Sequence, residues 1–207
     1  MTATLGSQSH LAYLALERLI VTLKLKPGAL VNERQLIELS GFGRTPVREA
    51  IQKLEWQGLV VVRPRVGLQI AEIQPDDHQS IMAVRLKLEP LLARLAAENA
   101  DLEKRADLLD CAQAMTAAAT AGDFDAFLAA DKEFDEIIEQ ACLNRFLISA
   151  LAPLQSHSRR MWYAGATVAK MDRSVSLHVA VIRAIQQGNG KEAEAAMAAL
   201  IGYLSKA

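Results

Sequence analysis

The sequence predicts a mostly α-helical protein with two parts: an N-terminal winged helix-turn-helix with a small β-hairpin wing, and a C-terminal all-α antiparallel bundle of six or seven helices. Helical periodicity runs through most of the 207 residues. Strand-like patterns, by contrast, are confined to residues 59–70. The pattern changes at residues 73–77, where Pro75 ends a strand and an aspartate can begin a helix. We therefore expect domains at residues 8–73 and 76–207.

The centre of the N-terminal part is a predicted helix within residues 43–58. Thr45 is a good N-cap, Pro46 suits the first helical position, and Gly58 suits the end. Apolar residues recur at helical spacing on one face: Val47, Ala50, Ile51 and Leu54. The opposite face is polar, with Arg44 just ahead of it: Thr45, Arg48 and Gln52. Such a helix fits a DNA major groove, although a solvated basic face explains this segment alone equally well.

The neighbouring segments favour DNA binding. A helical pattern over residues 12–25 ends at Lys26-Pro27-Gly28, and Asn32 can cap a short helix over residues 33–39. Residues 59–62 and 68–70 predict two strands, and the turn between them carries Arg65 and Gly67. Two helices, a tight turn, a third helix and a hairpin follow one another in the order of a winged helix-turn-helix.

Over roughly residues 11–73 the chain resembles the DNA-binding domain of GntR-type bacterial transcription regulators. The matching positions are Pro27-Gly28, Leu30, Glu33-Arg34, Leu36, residues 44–50, Leu54, Gly58-Leu59 and Gly67. The family usually has a serine or a similar polar residue where this chain has Gly43, so a phosphate or capping contact can be missing here.

The resemblance implies binding to double-stranded operator DNA. Four residues are expected on phosphates and base edges: Arg34, Arg44, Thr45 and Arg48. Arg44 and Arg48 are the candidates for guanine, and Gln52 shares their face. The turn with Arg65 and Gly67 is expected to enter or border the minor groove.

Charge and composition fit this division. The net charge is −1, but residues 1–73 hold nine Lys/Arg and six Asp/Glu, and residues 74–207 hold fourteen and eighteen. The positive part thus coincides with the predicted DNA-binding domain. No apolar run is long enough for a membrane span, and residues 1–9 lack the features of a signal peptide and predict a frayed tail. Cys111 and Cys142 lack metal-type spacing, so we expect buried, reduced thiols and a cytoplasmic protein.

The C-terminal part predicts six helices, of which several begin at a capping residue. Their expected ranges are 80–100, 101–119, 123–142, 144–163, 172 or 174 to 187, and 189–204. Short connections between helices of this length are typical of a bundle.

This half resembles the helical effector domain, or FCD domain, of the FadR branch of the GntR family. The matching segments are residues 84–90, 96–97, 131–135, 144–147, 178–185 and 188–189. The resemblance implies a homodimer whose operator binding responds to a small metabolite, commonly a carboxylate. Arg85 lies at the family's inward arginine position and is a candidate for the ligand carboxylate, with a salt bridge to Asp131 or Asp135 as the alternative. Arg159 and Arg160 are candidates for the pocket rim, the alternative being a solvated arginine beside a core tryptophan.

Many members of this branch bind a divalent metal in the bundle. The resemblance places its ligands at Asp131, Asp135, His178 and a position near Leu200, where the family has histidine at the second and fourth. Two carboxylates and one histidine suit Zn²⁺, Mn²⁺, Fe²⁺ or Ni²⁺. The same pattern fits a pocket that has lost its metal, so the sequence leaves both open.

Three functions therefore compete at this point. The sequence favours a ligand-responsive transcription regulator. The alternatives are a DNA-binding dimer without an effector and, least favoured, a metal-dependent hydrolase built on Asp131, Asp135 and His178. The hydrolase interpretation lacks a nucleophile or general base and leaves the winged helix without a role.

Overall fold

Three helices make the frame of the N-terminal unit: α1 (Gln8–Val21), α2 (Glu33–Ser40) and α3 (Arg44–Trp56). The computed structural model describes residues 7–206, and within them the chain divides into two compact units between Pro75 and Asp76. The first unit is held by a common apolar core that α1, α2, α3 and the sheet share. Its fully buried members include Ala12, Leu16, Ile20, Leu36, Val47, Leu54, Leu59 and Ile70.

A three-stranded antiparallel sheet completes this unit. Its strands are β1 (Leu30–Val31), β2 (Val60–Arg63) and β3 (Gly67–Ile70), in the order β1-β3-β2. The predicted hairpin is confirmed, with Val60 opposite Ile70 and Arg63 opposite Gly67. Strand β1 was not predicted, because a two-residue pairing is too short for an alternating pattern.

Two helix starts differ from the sequence prediction. Helix α1 begins at Gln8, because the Ser7 side chain caps it by accepting from the backbone N–H of His10. Its end at Val21 precedes the expected one. The frayed tail expected over residues 1–9 is wrong for residues 7–9, which begin the helix, and residues 1–6 lie outside the described residues. The expected Thr45 cap is wrong: Gly43 is the N-cap of α3, without a side-chain hydrogen bond.

The C-terminal unit is a bundle of six helices within the described residues, as the sequence predicted. They are α4 (Asp77–Asn99), α5 (Leu102–Ala121), α6 (Phe124–Ala141), α7 (Arg145–Ala164), α8 (Val168–Gln186) and α9 (Gly190–Leu204). Loops of two or three residues join them. Among consecutive helices α5 packs along α6 and α8 along α9, whereas α4 packs mainly against α9 and α7. The predicted caps Asp101, Asn144 and Asn189 accept backbone N–H groups, and Asp123 does the same at the start of α6. Helix α8 starts earlier than predicted, because Thr167 caps it.

The centre of the bundle lies where α4 packs against α6, α7, α8 and α9. Cys111 and Cys142 are buried free thiols, in agreement with the prediction. None of the helices in the described part of the chain combines the length and the apolar character that crossing a membrane requires.

Candidate nucleic-acid interface and effector cavity

Helix α3 exposes its polar side chains to solvent while its apolar stripe is buried. Arg44, Thr45, Arg48 and Gln52 are all exposed, and Val47, Ala50, Ile51 and Leu54 are all buried. Arg34 is exposed on α2, where its Nε lies 2.9 Å from Oε1 of Glu38. The amphipathic spacing of α3 thus produces an open polar face, which can meet a phosphate backbone and base edges.

A single carboxylate holds two arginines of this face. Arg48 Nε donates to Glu33 Oε2 at 2.8 Å, and Arg44 Nε lies 3.4 Å from Glu33 Oε1. Glu33 is the first residue of α2, and a reciprocal capping box between Asn32 and Gln35 fixes that end of the helix. The arginines are therefore held in place before any DNA is present.

The wing has an unusual backbone at its tip. Arg65 has φ +64°, a left-handed conformation that is uncommon for a residue with a side chain. Gly67 has φ +125°, and a Cβ at this position would lie 3.2 Å from the carbonyl oxygen of Val31. Arg63 is exposed and donates from Nε to Gln69 Oε1 at 2.9 Å. The turn thus projects exposed arginines from a tightly fixed base.

An open groove runs between α3 and the wing. Its lining includes Arg48, Gln52, Arg63, Arg65 and Gly67. The structure therefore brings together four of the sequence-predicted residues in one groove, whereas Arg34, Arg44 and Thr45 lie outside its lining.

The second site is a small polar cavity inside the bundle. It is lined from α4, α6, α7, α8 and α9, by Arg85, Phe127, Leu128, Asp131, Asp135, Gln155, Ser158, Arg159, Trp162, Ser174, His178 and Leu204. Phe127, Asp131 and Asp135 follow one another at intervals of four residues, so they lie on the same face of α6 and line the same wall of the cavity. Its free volume of about 20 Å³ holds roughly one water molecule.

Arg85 is neutralised within its own helix. Its Nε and Nη2 donate to the two carboxylate oxygens of Glu89 at 2.6 and 3.1 Å, and its Nη1 donates to Ser158 Oγ. The expected alternative, a salt bridge to Asp131 or Asp135, is therefore wrong. Both partners are almost completely buried, and a buried arginine needs such a bidentate carboxylate. The i, i+4 spacing of Arg85 and Glu89 was a signal in the sequence that the prediction missed.

Arg159 lies inside the site, and its guanidinium joins both aspartates. Its Nε donates to Asp131 Oδ2 at 2.7 Å, and its Nη2 donates to Asp135 Oδ2. Its side chain is buried, so the expected position at the rim is wrong. Arg160 is also buried but does not line the cavity; burial lowers the pKa of its guanidinium, against the opposing charge of Asp77.

His178 completes this network. Its Nδ1 lies 2.8 Å from the backbone oxygen of Ser174, and its Nε2 lies 3.1 Å from Asp131 Oδ1. The rings of Phe127 and Phe134 stand edge-on to the imidazole, with Phe134 at 5.1 Å. Since both ring nitrogens face oxygen acceptors, the Nε2 contact is a hydrogen bond only when that nitrogen carries a proton.

The two aspartates differ in acidity. Burial alone raises the pKa of Asp131, but the hydrogen bond from His178 and the charge of Arg159 outweigh burial and hold this pKa below its ordinary value. Burial raises the pKa of Asp135 well above its ordinary value despite Arg159, and the neighbouring charges of Asp131 and Glu89 raise it further. Asp131 is thus the more acidic of the two carboxyls, and Asp135 the less acidic.

Two buried N–H groups on the cavity wall have no hydrogen-bond partner. They are Nε2 of Gln155 and Nε1 of Trp162. Along α7, Gln155 lies one turn before Arg159, and Trp162 lies two turns after Gln155. An unpaired buried donor costs free energy, and an acceptor brought into the cavity relieves that cost. Gln155 was missed from the sequence, although it lies four residues before Arg159 on the same face.

The donor set does not fit a metal ion. Asp131, Asp135 and His178 are neighbours as expected, but the guanidinium of Arg159 lies between the two carboxylates. Helix α9 contributes Leu204 to the lining, whereas the expected fourth position, Leu200, does not line the cavity. Within residues 7–206 no group of three His, Cys, Asp or Glu side chains has the arrangement of a metal site.

Comparison with known sequences agrees with this architecture. The family described as "Bacterial regulatory proteins, gntR family" matches residues 8–70, and the FCD domain matches residues 80–203. The HTH-type transcriptional regulator LutR of Bacillus subtilis is 31% identical over 85% of this chain and 90% of its own length. YieP of Escherichia coli, also an HTH-type transcriptional regulator, is 29% identical over 95% of both chains.

Comparison with solved structures shows the same fold. E. coli McbR/YncC superposes with a TM-score of 0.81 at 20% identity, covering 96% of this chain and 95% of that one. A transcriptional regulator of Rhodococcus sp. RHA1 gives a TM-score of 0.74 at 15% identity, covering 97% of each chain. The relatives are transcription regulators and not enzymes, which removes the hydrolase alternative.

Proposed function

This chain belongs to the GntR family of bacterial transcription regulators, with an FCD domain as its helical part, and from this premise we propose that a small organic acid bound in the bundle controls its binding to operator DNA. DNA binding is the activity of the family. The effector, its chemical class and the residues that bind it are the proposal.

On the DNA side, α3 enters the major groove and the wing borders the minor groove. The supporting observation is the set of exposed donors on one face of α3, flanked by the arginines of the wing. Arg44 and Arg48 are the residues whose forked guanidinium suits guanine, while Arg34, Thr45 and Gln52 supply phosphate and edge contacts. Arg65 and Gly67 form the minor-groove contact.

Arg48→Ala tests the base-reading role. We expect a loss of about 1–3 kcal/mol in binding to the specific operator, with a smaller loss on random duplex. Fluorescence anisotropy with both duplexes at the same salt concentration measures the two losses. Arg18→Ala, at an exposed arginine of α1, is the control and should change neither. Equal losses on both duplexes would reduce Arg48 to a phosphate contact.

In the bundle, the ligand must bring hydrogen-bond acceptors. The unpartnered groups on the wall, Gln155 Nε2 and Trp162 Nε1, are both donors. Arg85 and Arg159 also line the cavity, each paired with carboxylates of the protein that an anionic ligand would have to displace. A carboxylate or a hydroxy acid matches this set better than an amine does. One relative, from Paenarthrobacter nicotinovorans, is named "Probable D-xylose utilization operon transcriptional repressor", which agrees with control by a small metabolite.

The filled cavity requires a conformational change for binding. A free volume of about 20 Å³ does not hold an organic acid, so the ligand must separate Arg159 from at least one aspartate. Such a ligand shifts the protein between two states only by its different affinity for them. The nearly filled cavity is also the observation that favours the alternative, a DNA-binding dimer without an effector.

Native mass spectrometry of the protein purified without added ligand separates these two functions. A co-purified small acid supports the effector site, and operator titrations with candidate acids then give its effect. Gln155→Leu should keep operator affinity in the absence of ligand and weaken the response at least tenfold. Gln140→Leu, at an exposed position of α6, is the control. Operator binding that stays indifferent to every bound acid would support the dimer without an effector.

A further inference from the structure

The charge arrangement in the bundle contains its own cation. Arg159 donates to Asp131 and to Asp135, and Asp131 in turn accepts from His178. We infer that the guanidinium of Arg159 takes the place of a divalent metal ion in this domain, so that the carboxylates of the site are paired without a metal.

The guanidinium has the shape for this role. It is planar and carries several donors at fixed positions, so Nε serves one carboxylate and Nη2 serves the other. A metal ion would hold the same oxygens from a single point, at about 2.0–2.2 Å. The guanidinium fixes the aspartates side by side and, through Asp131, the imidazole of His178. A metal ion would hold all three side chains directly.

A metal cannot share this space with Arg159. The guanidinium nitrogens already lie within hydrogen-bonding distance of both carboxylates, and repulsion between two cations at such a separation is strong in a buried site. The Arg159 side chain is buried in this position. The fourth wall is apolar, because α9 contributes Leu204. The site therefore excludes a divalent ion by occupancy as well as by charge.

The exclusion of a metal ion by Arg159 concerns the same cavity as the proposed effector, but it does not depend on an effector being bound. If the cavity binds an acid, that acid meets Arg159 directly and not through a bridging metal. If it binds nothing, Arg159 still determines whether a metal can enter. Metal binding and operator binding are separate measurements, so the two ideas can fail independently.

Removing the guanidinium should convert the cavity into a metal site. The full-length protein and Arg159→Met are dialysed against chelator and titrated with Co²⁺, whose visible absorption reports direct coordination. We expect less than about one tenth of a Co²⁺ per chain in the natural protein, and at least tenfold tighter binding of one Co²⁺ in Arg159→Met, since Asp131, Asp135 and His178 are no longer held by the guanidinium and can close around the ion. The double variant Arg159→Met, His178→Ala should lose this binding again.

Arg173→Met is the matched control, since Arg173 is exposed on α8 and its removal changes the charge by the same amount. It should behave like the natural protein. Stoichiometric Co²⁺ binding by the natural protein that His178→Ala abolishes would overturn the inference. A folded Arg159→Met that gains no Co²⁺ would overturn it as well. Arg159→Gln, a smaller change, replaces Arg159→Met if circular dichroism shows the latter unfolded, and the same two outcomes apply.

Discussion

At the scale of single residues, Glu33 is the side chain that connects two helices of the DNA-binding unit. It is about one-third exposed, and its two arginine partners are largely exposed, so the ion pairs add little to stability. Their effect is on side-chain position: Arg44 and Arg48 are held on one face before they meet DNA. The carboxylate also opposes the phosphates, because it adds negative charge at the surface that binds them.

Glu33→Gln should therefore strengthen non-specific binding and weaken discrimination. Removing one negative charge beside the interface should raise affinity for random duplex by about fivefold at low salt, roughly 1 kcal/mol. The operator should gain less, because Arg48 loses its preset position. Glu38→Gln, which frees Arg34 in the same way, is the control for charge alone. An identical gain on both duplexes would show that Glu33 has no part in positioning the arginines.

Glu139 is a residue whose charge state changes near neutral pH. It is half-buried on α6, and burial raises the pKa of its carboxyl from the usual 4.5 to about 7, although the charges of Arg159 and Lys132 oppose the shift. The folded-state pKa thus exceeds the unfolded one. Stability from this group is complete below about pH 4.5 and is lost as pH rises through 7.

Glu139→Gln should consequently be more stable than the natural protein at pH 8 and equal to it near pH 4. We expect a difference of about 1 kcal/mol at pH 8 after allowing for solvent screening. Urea unfolding at both pH values measures it. Glu133→Gln, at an exposed position of the same helix, should show no such pH dependence. A constant difference at the two pH values would contradict the raised pKa.

At the scale of elements, the start of α3 is incompletely capped. Gly43 occupies the N-cap with φ −71° and ψ 169°, and no side chain accepts the first N–H groups. A Cβ at Gly43 would meet nothing closer than Pro46 Cδ at 4.0 Å. Pro46 has no N–H, so a serine hydroxyl could accept only from Thr45 or Arg44. The free space and the backbone conformation at Gly43 would therefore both allow a serine to cap α3.

Gly43→Ser should stabilise the N-terminal unit by a few tenths of a kcal/mol. Gly41→Ser, two residues earlier, should instead cost about 1 kcal/mol, because Gly41 ends α2 with φ +72°. Thermal unfolding followed by circular dichroism compares the two variants. We predict that the first variant is more stable than the natural protein and the second less stable. A stability change of the same sign in both would show that the cap geometry does not decide the effect.

Sequence periodicity predicted the helices of both units well, but side-chain pairing required three dimensions. Caps such as Asp101 and Asn144 gave helix starts within a residue or two, because their chemistry is local. Arg159 and Arg160 differ by about 100° around α7, and only the packing of α7 decides which one faces the cavity. The same limit applies to the metal prediction, since the sequence offered the carboxylates and Arg159 as separate candidates and could not show that the guanidinium pairs with both aspartates.

At the scale of the whole molecule, we predict a homodimer on an inverted-repeat operator. One winged helix reads a half-site, and two related by a dyad read both halves. One chain has a mass of 22.6 kDa, and sedimentation at micromolar concentration should give twice that mass. Changing the half-site spacing by five base pairs should weaken binding at least tenfold, because it rotates one half-site to the opposite side of the duplex. A monomer that binds single half-sites one-to-one would contradict this.

The two tryptophans of the chain lie one in each unit and in different surroundings. Trp56, the last residue of α3, is 88% exposed, whereas Trp162 packs against Phe127 at 4.8 Å beside the bundle cavity. Each unit therefore has its own intrinsic fluorophore. We expect Trp56 to emit at long wavelength and to be quenched readily by acrylamide. Trp162 should emit at shorter wavelength and be protected from the quencher. With Trp56→Phe, the remaining signal follows the cavity alone, and an acid that hydrogen-bonds to the free indole N–H should shift it without any attached dye.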